Sequence, residues 1–147
     1  MPTITHSLAI AAPPETVWRV LTDFAAYPEW NPFIREISGE LLPGARLTVR
    51  IAPPGRSAMT FRPRVLEVAP PRTFRWLGHL FVPGLFDGEH RFRIEPLQGQ
   101  CRFTQEEEFR GVLASLVLHW IGAATERGFA AMNAALKSRA EALSRTG

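Results

Sequence analysis

Three side chains in two neighbouring stretches could do chemistry together: His90 in GEHRFRIEP, and Gln105 and Glu107 in QCRFTQEEEFR. Successive side chains of a strand point to opposite faces. Phe103, Gln105, Glu107 and Phe109 therefore share one face, with a carboxylate between aromatic rings where a core is expected. An imidazole donates or accepts according to tautomer, an amide does both, and a carboxyl group accepts when ionised and donates when protonated. Such a set could fix the polar end of a bound molecule. It could also perform general acid–base chemistry, with Glu107 and His90 as the acid and base. The structural alternative is that the three groups satisfy one another, an arginine such as Arg127, or interior water, because buried polar groups are usually paired.

The two stretches read as a hairpin. With the turn centred on Leu97–Gln98, Ile94 lies opposite Cys101, Phe92 opposite Phe103, His90 opposite Gln105, Gly88 opposite Glu107 and Phe86 opposite Phe109. This pairing collects the strongly apolar residues on one face and Arg91, Arg93, Glu89, Glu106 and Glu108 on the other. A slip of one residue would destroy that sorting, whereas a slip of two would keep the faces and change the partners. The inner face is greasy near the turn and polar further along. A solid core would select against an unpaired carboxylate or imidazole, so the pattern points to a wet cavity.

Other elements must enclose that face. TITHSLAI reads as a first strand at residues 3–10. PPETVWRVLTDF reads as a helix, with Pro14 at its start, Glu15 in its first turn and Val17, Val20, Leu21 and Phe24 at helical spacing. YPEWNP leaves room for one short second helix. FIREISGEL, ARLTVRI, AMTFRPRVLEV and RTFRWLGHL add four strands to the first strand and the hairpin, making seven. Pro63 places its strand at an edge or a bulge. From Leu113 to Leu143 no proline occurs, and Leu113, Leu116, Val117, Trp120, Ile121, Ala124, Ala131, Met132 and Leu136 form an apolar stripe. A helix that long needs a wide, curved sheet beneath it. The order predicts an α+β domain: a seven-stranded curved antiparallel sheet wrapped around a long C-terminal helix, with two short helices between strands 1 and 2.

The chain has 147 residues, 46% hydrophobic and 21% charged, which suits one domain over residues 1–147. The net charge of +3 is carried almost wholly by arginine, Lys137 being the only lysine. Those arginines are scattered among glutamates, so a solvated surface is expected and no nucleic-acid partner. No apolar run could span a bilayer. MPTITHSLAIAAPPE lacks the basic start and apolar centre of a signal peptide, which leads to the expectation of a cytoplasmic protein without stable membrane insertion. Cys101 is the only cysteine, so no internal disulfide is expected; it faces inward as an inert core thiol. No metal-ligand spacing, phosphate loop or nucleophile elbow occurs, and no cofactor is expected. His6, His79 and His119 stand alone in the sequence.

Candidate cavity walls are aromatic, as small-molecule pockets usually are. Trp30, Asn31 and Phe33 follow the short helices, where a mouth would lie. Trp76, Phe86, Phe92 and Phe103 flank the polar set, and Trp120 comes from the long helix. Trp18 reads as helix–sheet packing. The apolar loop 81–86 could be a lid or a well-packed hairpin end.

The run P-x-E-x-VW-x-x-L-x-D-F-x-x-Y-P-x-WNPF, Pro13 to Phe33, resembles the polyketide cyclase/dehydrase-like branch of the START/Bet v 1-like superfamily, the SRPBCC domains. Pro43–Gly44, Trp76–Gly78, GEHRF at Gly88–Phe92, Gln105 to Gly111 and GFAAMNAALKSRAE extend the resemblance over nearly the whole chain. It implies a helix-grip fold and a cavity for a hydrophobic small molecule that is lipid-, aromatic- or polyketide-like. Binding by Trp30, Asn31, Phe33, Trp76, Phe86, His90, Phe92, Phe103, Gln105, Glu107 and Trp120 is the expected function, in a monomer or homodimer. A cyclase or dehydratase using Glu107 and His90 is the alternative. The family supplies no single catalytic set to carry over.

Overall fold

In the computed structural model, residues 2–80 and 82–146 are described. β1 (Thr3–Ile10) leads into α1 (Pro14–Thr22), a 3-10 turn (Phe24–Ala26) and α2 (Tyr27–Trp30). β2 (Ile34–Ser38), β3 (Thr48–Ile51), β4 (Met59–Phe61), β5 (Arg64–Ala69), β6 (Thr73–Leu80), β7 (Phe86–Leu97) and β8 (Gln100–Arg110) follow, and α3 (Ala114–Thr146) closes the chain. α1 begins as its sequence predicts, with Pro14 in the first turn, where a missing N–H costs nothing. It buries Val17, Val20 and Leu21 on one face.

The strands form two antiparallel ladders, β1-β8-β7-β6-β5 and β2-β3-β4. The expected single strand AMTFRPRVLEV is divided into β4 and β5, so eight strands stand where seven were expected. Pro63 lacks the N–H a continuous ladder would need. Its carbonyl instead accepts from the Leu47 amide at 2.9 Å, and the Val65 amide donates to the Ala45 carbonyl at 2.8 Å. With the Arg46–Arg64 bridge, these bonds join the ladders at a corner and curve the sheet around α3. Register shifts between Val65 and Glu67 and between Ile34 and Glu36 add to the bend.

α3 has 33 residues, about 50 Å of helix. Its buried face is Ala124, Thr125, Gly128, Phe129, Met132, Asn133, Leu136 and Ala140, together with Ala114 near its start. The apolar stripe expected from Leu113 onward holds only in part. Leu116 and Trp120 are 59% and 64% exposed, because the first turns of α3 set Ala114, Val117 and Ile121, on the other side of the helix, against Phe86 and Phe109. Phe129, outside that stripe, is fully buried.

The β7–β8 turn is centred on Gln98–Gly99 rather than Leu97–Gln98, with Leu97 opposite Gln100. Gly99 supplies the positive φ, +73°, that a two-residue hairpin turn favours. The register is therefore shifted by two. His90 lies opposite Glu107, Phe92 opposite Gln105, Ile94 opposite Phe103, Pro96 opposite Cys101 and Gly88 opposite Phe109. The faces survive this shift and the partners do not. On the outer face Arg75 binds Glu67 at 3.0 Å and Glu89 at 3.1 Å, and Arg110 binds Glu108 at 2.8 Å. Glutamate hydrogen bonds and charge hold the Arg75 guanidinium above its ordinary range. Arg75, Arg91, Arg93 and Arg110 are thus joined through Glu89 and Glu106 in a surface ion-pair lattice.

Candidate functional site

The interior has two apolar clusters. The larger packs α1, the strands and the second half of α3 around Tyr27, Phe74, Phe92, Phe103, Phe129 and Met132. The smaller groups Phe86, Phe109 and Ala114 with Leu80, Val117 and Ile121. Between them lies a cavity of about 90 Å³. Its inner wall is Phe33, Val49, Trp76 and His90, all buried, and its outer wall includes the partly exposed Pro53, Met59, Phe61, Leu80 and Ile121. Glu107, Gly88, Phe86, Phe109 and Thr125 also line it. The space is well under the roughly 300–1,000 Å³ of drug-sized pockets. As it stands it takes one small ring or chain end.

His90 is 1% exposed and stacks on Trp76 with centroids 5.2 Å apart. Its Nδ1 meets Glu107 Oε1 at 3.0 Å, and its Nε2 meets Gln105 Oε1 at 2.9 Å. Gln105 Nε2 donates to Asn133 Oδ1 at 2.8 Å. Asn133 Nδ2 reaches the His6 carbonyl at 3.0 Å and His6 Nδ1 at 2.9 Å. A polar chain therefore crosses from Glu107 at the cavity to His6 on β1, with Gln105 and Asn133 fully buried between.

The direction of the chain follows from its far end. Amide oxygen and nitrogen are alike in shape, so their placement must be read from the partners. A carbonyl can only accept, so the Asn133 group facing His6 O is the NH2. Asn133 Oδ1 then faces Gln105 and requires Gln105 Nε2 there, which turns Gln105 Oε1 to His90. His90 Nε2 must carry a hydrogen. The His90 Nδ1–Glu107 Oε1 bond then holds one proton, either on an imidazolium beside a carboxylate or on a carboxylic acid beside a neutral imidazole. In both forms Glu107 Oε2 is an acceptor. Glu107 lines the cavity with its side chain 18% exposed, and Oε2 lies over Gly88, where any Cβ would collide with it.

Five of the residues expected at the site, Phe33, Trp76, Phe86, His90 and Glu107, line this cavity. The other six sit elsewhere. Gln105 is behind His90, one bond removed from the space. Phe92 and Phe103 stack on each other at 6.2 Å inside the larger core. Asn31 is a backbone clamp: its Oδ1 accepts from the amides of Phe33 at 2.9 Å and Ile34 at 2.8 Å, closing the passage from α2 to β2. Trp30 packs on Tyr27 at 5.1 Å. Trp120 faces solvent, since it lies on the side of α3 away from Val117 and Ile121, which pack against Phe86 and Phe109. Arg127, considered as a partner of the polar set, is exposed. Asn133 takes that place, and His6, isolated in sequence, is the chain's end. Asn133 was visible only as one polar residue in GFAAMNAALK. Its phase with Phe129, Leu136 and Ala140 is the signal that could have placed it inward.

The loop before Phe86 is tied down. Gly84 N donates to Asp87, Val112 N to the Gly84 carbonyl at 3.1 Å and Leu113 N to the Leu85 carbonyl at 2.9 Å. Val82, Pro83 and Gly84 are exposed, Leu85 is half-buried and Phe86 is buried; Phe81, the first residue of the candidate lid, lies outside the described residues. Asp87 also accepts from His79, and these hydrogen bonds hold its carboxyl below the ordinary range despite burial. Trp18 packs edge-on against Phe74 at 5.8 Å. Cys101 is fully buried, and burial pushes its thiol up to about 11. Among the described residues no cluster of His, Cys, Asp or Glu could hold a metal ion, and no helix is long and apolar enough to cross a membrane.

A curved antiparallel sheet gripping a long helix, with an apolar cavity between them, defines the helix-grip class. Within it, the chain belongs to the family described as polyketide cyclase / dehydrase and lipid transport, whose model matches residues 1–141. None of the curated proteins matches it. Among solved structures it is similar to the ZhuI aromatase/cyclase from Streptomyces sp. R1128, at 20% identity and TM-score 0.73 over 95% of this chain and 93% of that one. Norcoclaurine synthase from Thalictrum flavum, a point mutant in complex with a transition-state analogue, matches at 17% identity and TM-score 0.72, over 99% and 96%. A START superfamily protein from Mycobacterium smegmatis matches at 22% identity and TM-score 0.69, over 96% and 98%. At these identities the likeness establishes the fold.

Proposed function

We propose that the protein binds a small hydrophobic molecule in the cavity between sheet and α3, with the polar end of that molecule on Glu107 Oε2. One observation carries this reading: a mostly apolar cavity has in its lining a carboxyl group with one oxygen held by His90 and the other lying over Gly88, itself a lining residue. Apolar walls supply affinity in proportion to the area they cover, and a single oriented polar group sets the pose. The volume favours a single ring or a chain end as the buried part. Membership of a lipid transport and cyclase family is consistent with it.

The test is native mass spectrometry of gently purified protein, with extraction of any bound molecule, followed by titration of small aromatics watched at Trp76. A co-purified apolar molecule, or saturable binding lost on filling the cavity with Val49→Phe, is the expected result. Protein that is empty and binds no member of such a panel overturns the reading.

The Glu107–His90 bond favours one second reading, a cyclase or dehydratase in which the pair moves a proton. Turnover separates the two. Glu107→Gln abolishes the rate of an enzyme and only weakens a binder.

A further inference from the structure

The polar chain behind His90 does more than satisfy buried groups. We propose that Asn133 is a positioning residue that, through Gln105, keeps a hydrogen on His90 Nε2 and so holds the Glu107–His90 pair electrically neutral, suiting the cavity to an uncharged hydroxyl-bearing ring, a phenol or alcohol, over an ammonium or a carboxylate. This rests on the binding reading above and names the ligand class for the same site.

The His6 carbonyl fixes the orientation of Asn133, which fixes that of Gln105 and, through it, the tautomer of His90. With Nε2–H imposed, His90 Nδ1 can share one proton with Glu107 in only two ways, and both sum to zero charge. Without the imposition a third arrangement opens. Gln105 turns, His90 offers Nδ1–H to an ionised Glu107 and leaves Nε2 bare, and the pair becomes an anion. The buried amides exclude that state, because Gln105 Oε1 would face a bare nitrogen at 2.9 Å.

A neutral pole with an outward acceptor has a definite preference. A hydroxyl donates to Glu107 Oε2 in either form of the pair. A carboxylate meets an acceptor with an acceptor and must bring a second proton to the pair. An ammonium finds no net countercharge for the hydration it loses. Thr125, the polar side chain that α3 adds to the lining, both donates and accepts and so does not discriminate. His79 is turned to Asp87, with Nδ1 and Oδ1 2.8 Å apart.

Four probes of similar size test this: toluene, phenol, benzylammonium and benzoate, titrated while the ring protons of His90 and Trp76 are followed by NMR. Phenol is expected to bind at least about tenfold tighter than benzylammonium or benzoate, the scale of one buried group left unpaired. In Asn133→Leu the ratio of benzylammonium to phenol affinity is expected to rise by about tenfold, because the pole can become anionic. The nitrogen-15 signature of His90 supplies a readout that a purely structural role would not move. Wild-type protein shows a protonated Nε2, and the variant shows a population with Nδ1–H and bare Nε2. If toluene, phenol and the charged probes all fail to bind, the cavity reading fails. Equal binding of phenol and benzoate to wild-type protein overturns the neutral pole alone. So does a bare Nε2 in wild-type His90, an observation that does not depend on whether the variant folds.

Discussion

Glu107 folds its carboxyl group across Gly88, so that Oε2 occupies the place a Cβ at position 88 would take. Gly88 and Glu107 are diagonal neighbours on β7 and β8, not the opposed pair that the hairpin sequence suggests. Gly88→Ala should therefore expel the carboxyl group and break its bond to His90 while the strand itself tolerates the methyl group. Binding of phenol should weaken by about tenfold, and stability should fall by about 1–3 kcal/mol, the cost of leaving the buried His90 Nδ1 unpaired. Titration and a thermal melt of the same sample check both halves.

Two glycines of α3 should answer the same substitution with opposite signs. A Cβ at Gly128 would strike the Phe33 ring, which is buried against Phe129 at 5.6 Å. Gly128→Ala should cost about 1–3 kcal/mol from overpacking, and it should narrow the cavity that Phe33 lines. At Gly122 nothing stands within 4 Å of the added methyl group. Gly122→Ala should stabilise by about 0.8–1 kcal/mol, the helix-propensity gain alone. Urea unfolding of both variants against wild type measures the difference.

Acid should loosen the C-terminal half of α3 from β1. Glu141 accepts from Lys137 Nζ at 2.7 Å and from the Ala11 amide at 2.8 Å, and these two bonds hold its carboxyl below the ordinary carboxylate range. A depressed carboxyl stabilises the folded state above the unfolded-state value, and the contribution fades as pH falls through the folded value. Glu141→Gln should thus be less stable than wild type at neutral pH, with the gap closing in acid. Unfolding midpoints followed from about pH 7 down to about pH 3 cover that window.

Cys101 should resist thiol reagents in the folded protein. It is fully buried, and burial keeps the thiol protonated at neutral pH. Iodoacetamide should label it only after denaturant is added. Rapid labelling without denaturant would place the β8 end of the core in solvent.

Much of the fold was legible because the signals were periodic. Alternation in GEHRFRIE and FTQEEEF named the faces of β7 and β8, since moving one residue would have put every phenylalanine in water. The start of α1 was readable from Pro14 and Glu15 for local reasons that no distant contact overrides. The strand break at Pro63 was half-readable: a missing N–H announced a disturbance but not that two ladders would meet there. Trp120 shows the opposite limit. Its spacing is that of a buried residue, and only which side of α3 meets Phe86 and Phe109 decides that it is not.

The candidate site divides in the same way. His90, Gln105 and Glu107 were chosen by type and parity, which the sequence alone determines: polar groups on an inward face. Which of them touches the cavity was decided by a turn set one residue later, at Gly99, because a hairpin turn moves partners without moving faces. Asn133 and the carbonyl of His6 entered only when α3 was laid across β1, bringing residues 127 positions apart within 3.0 Å. Sequence determines what each side chain can donate or accept. Tertiary structure decides which direction the protons run, because that direction is set by a backbone carbonyl at the far end of the chain of bonds.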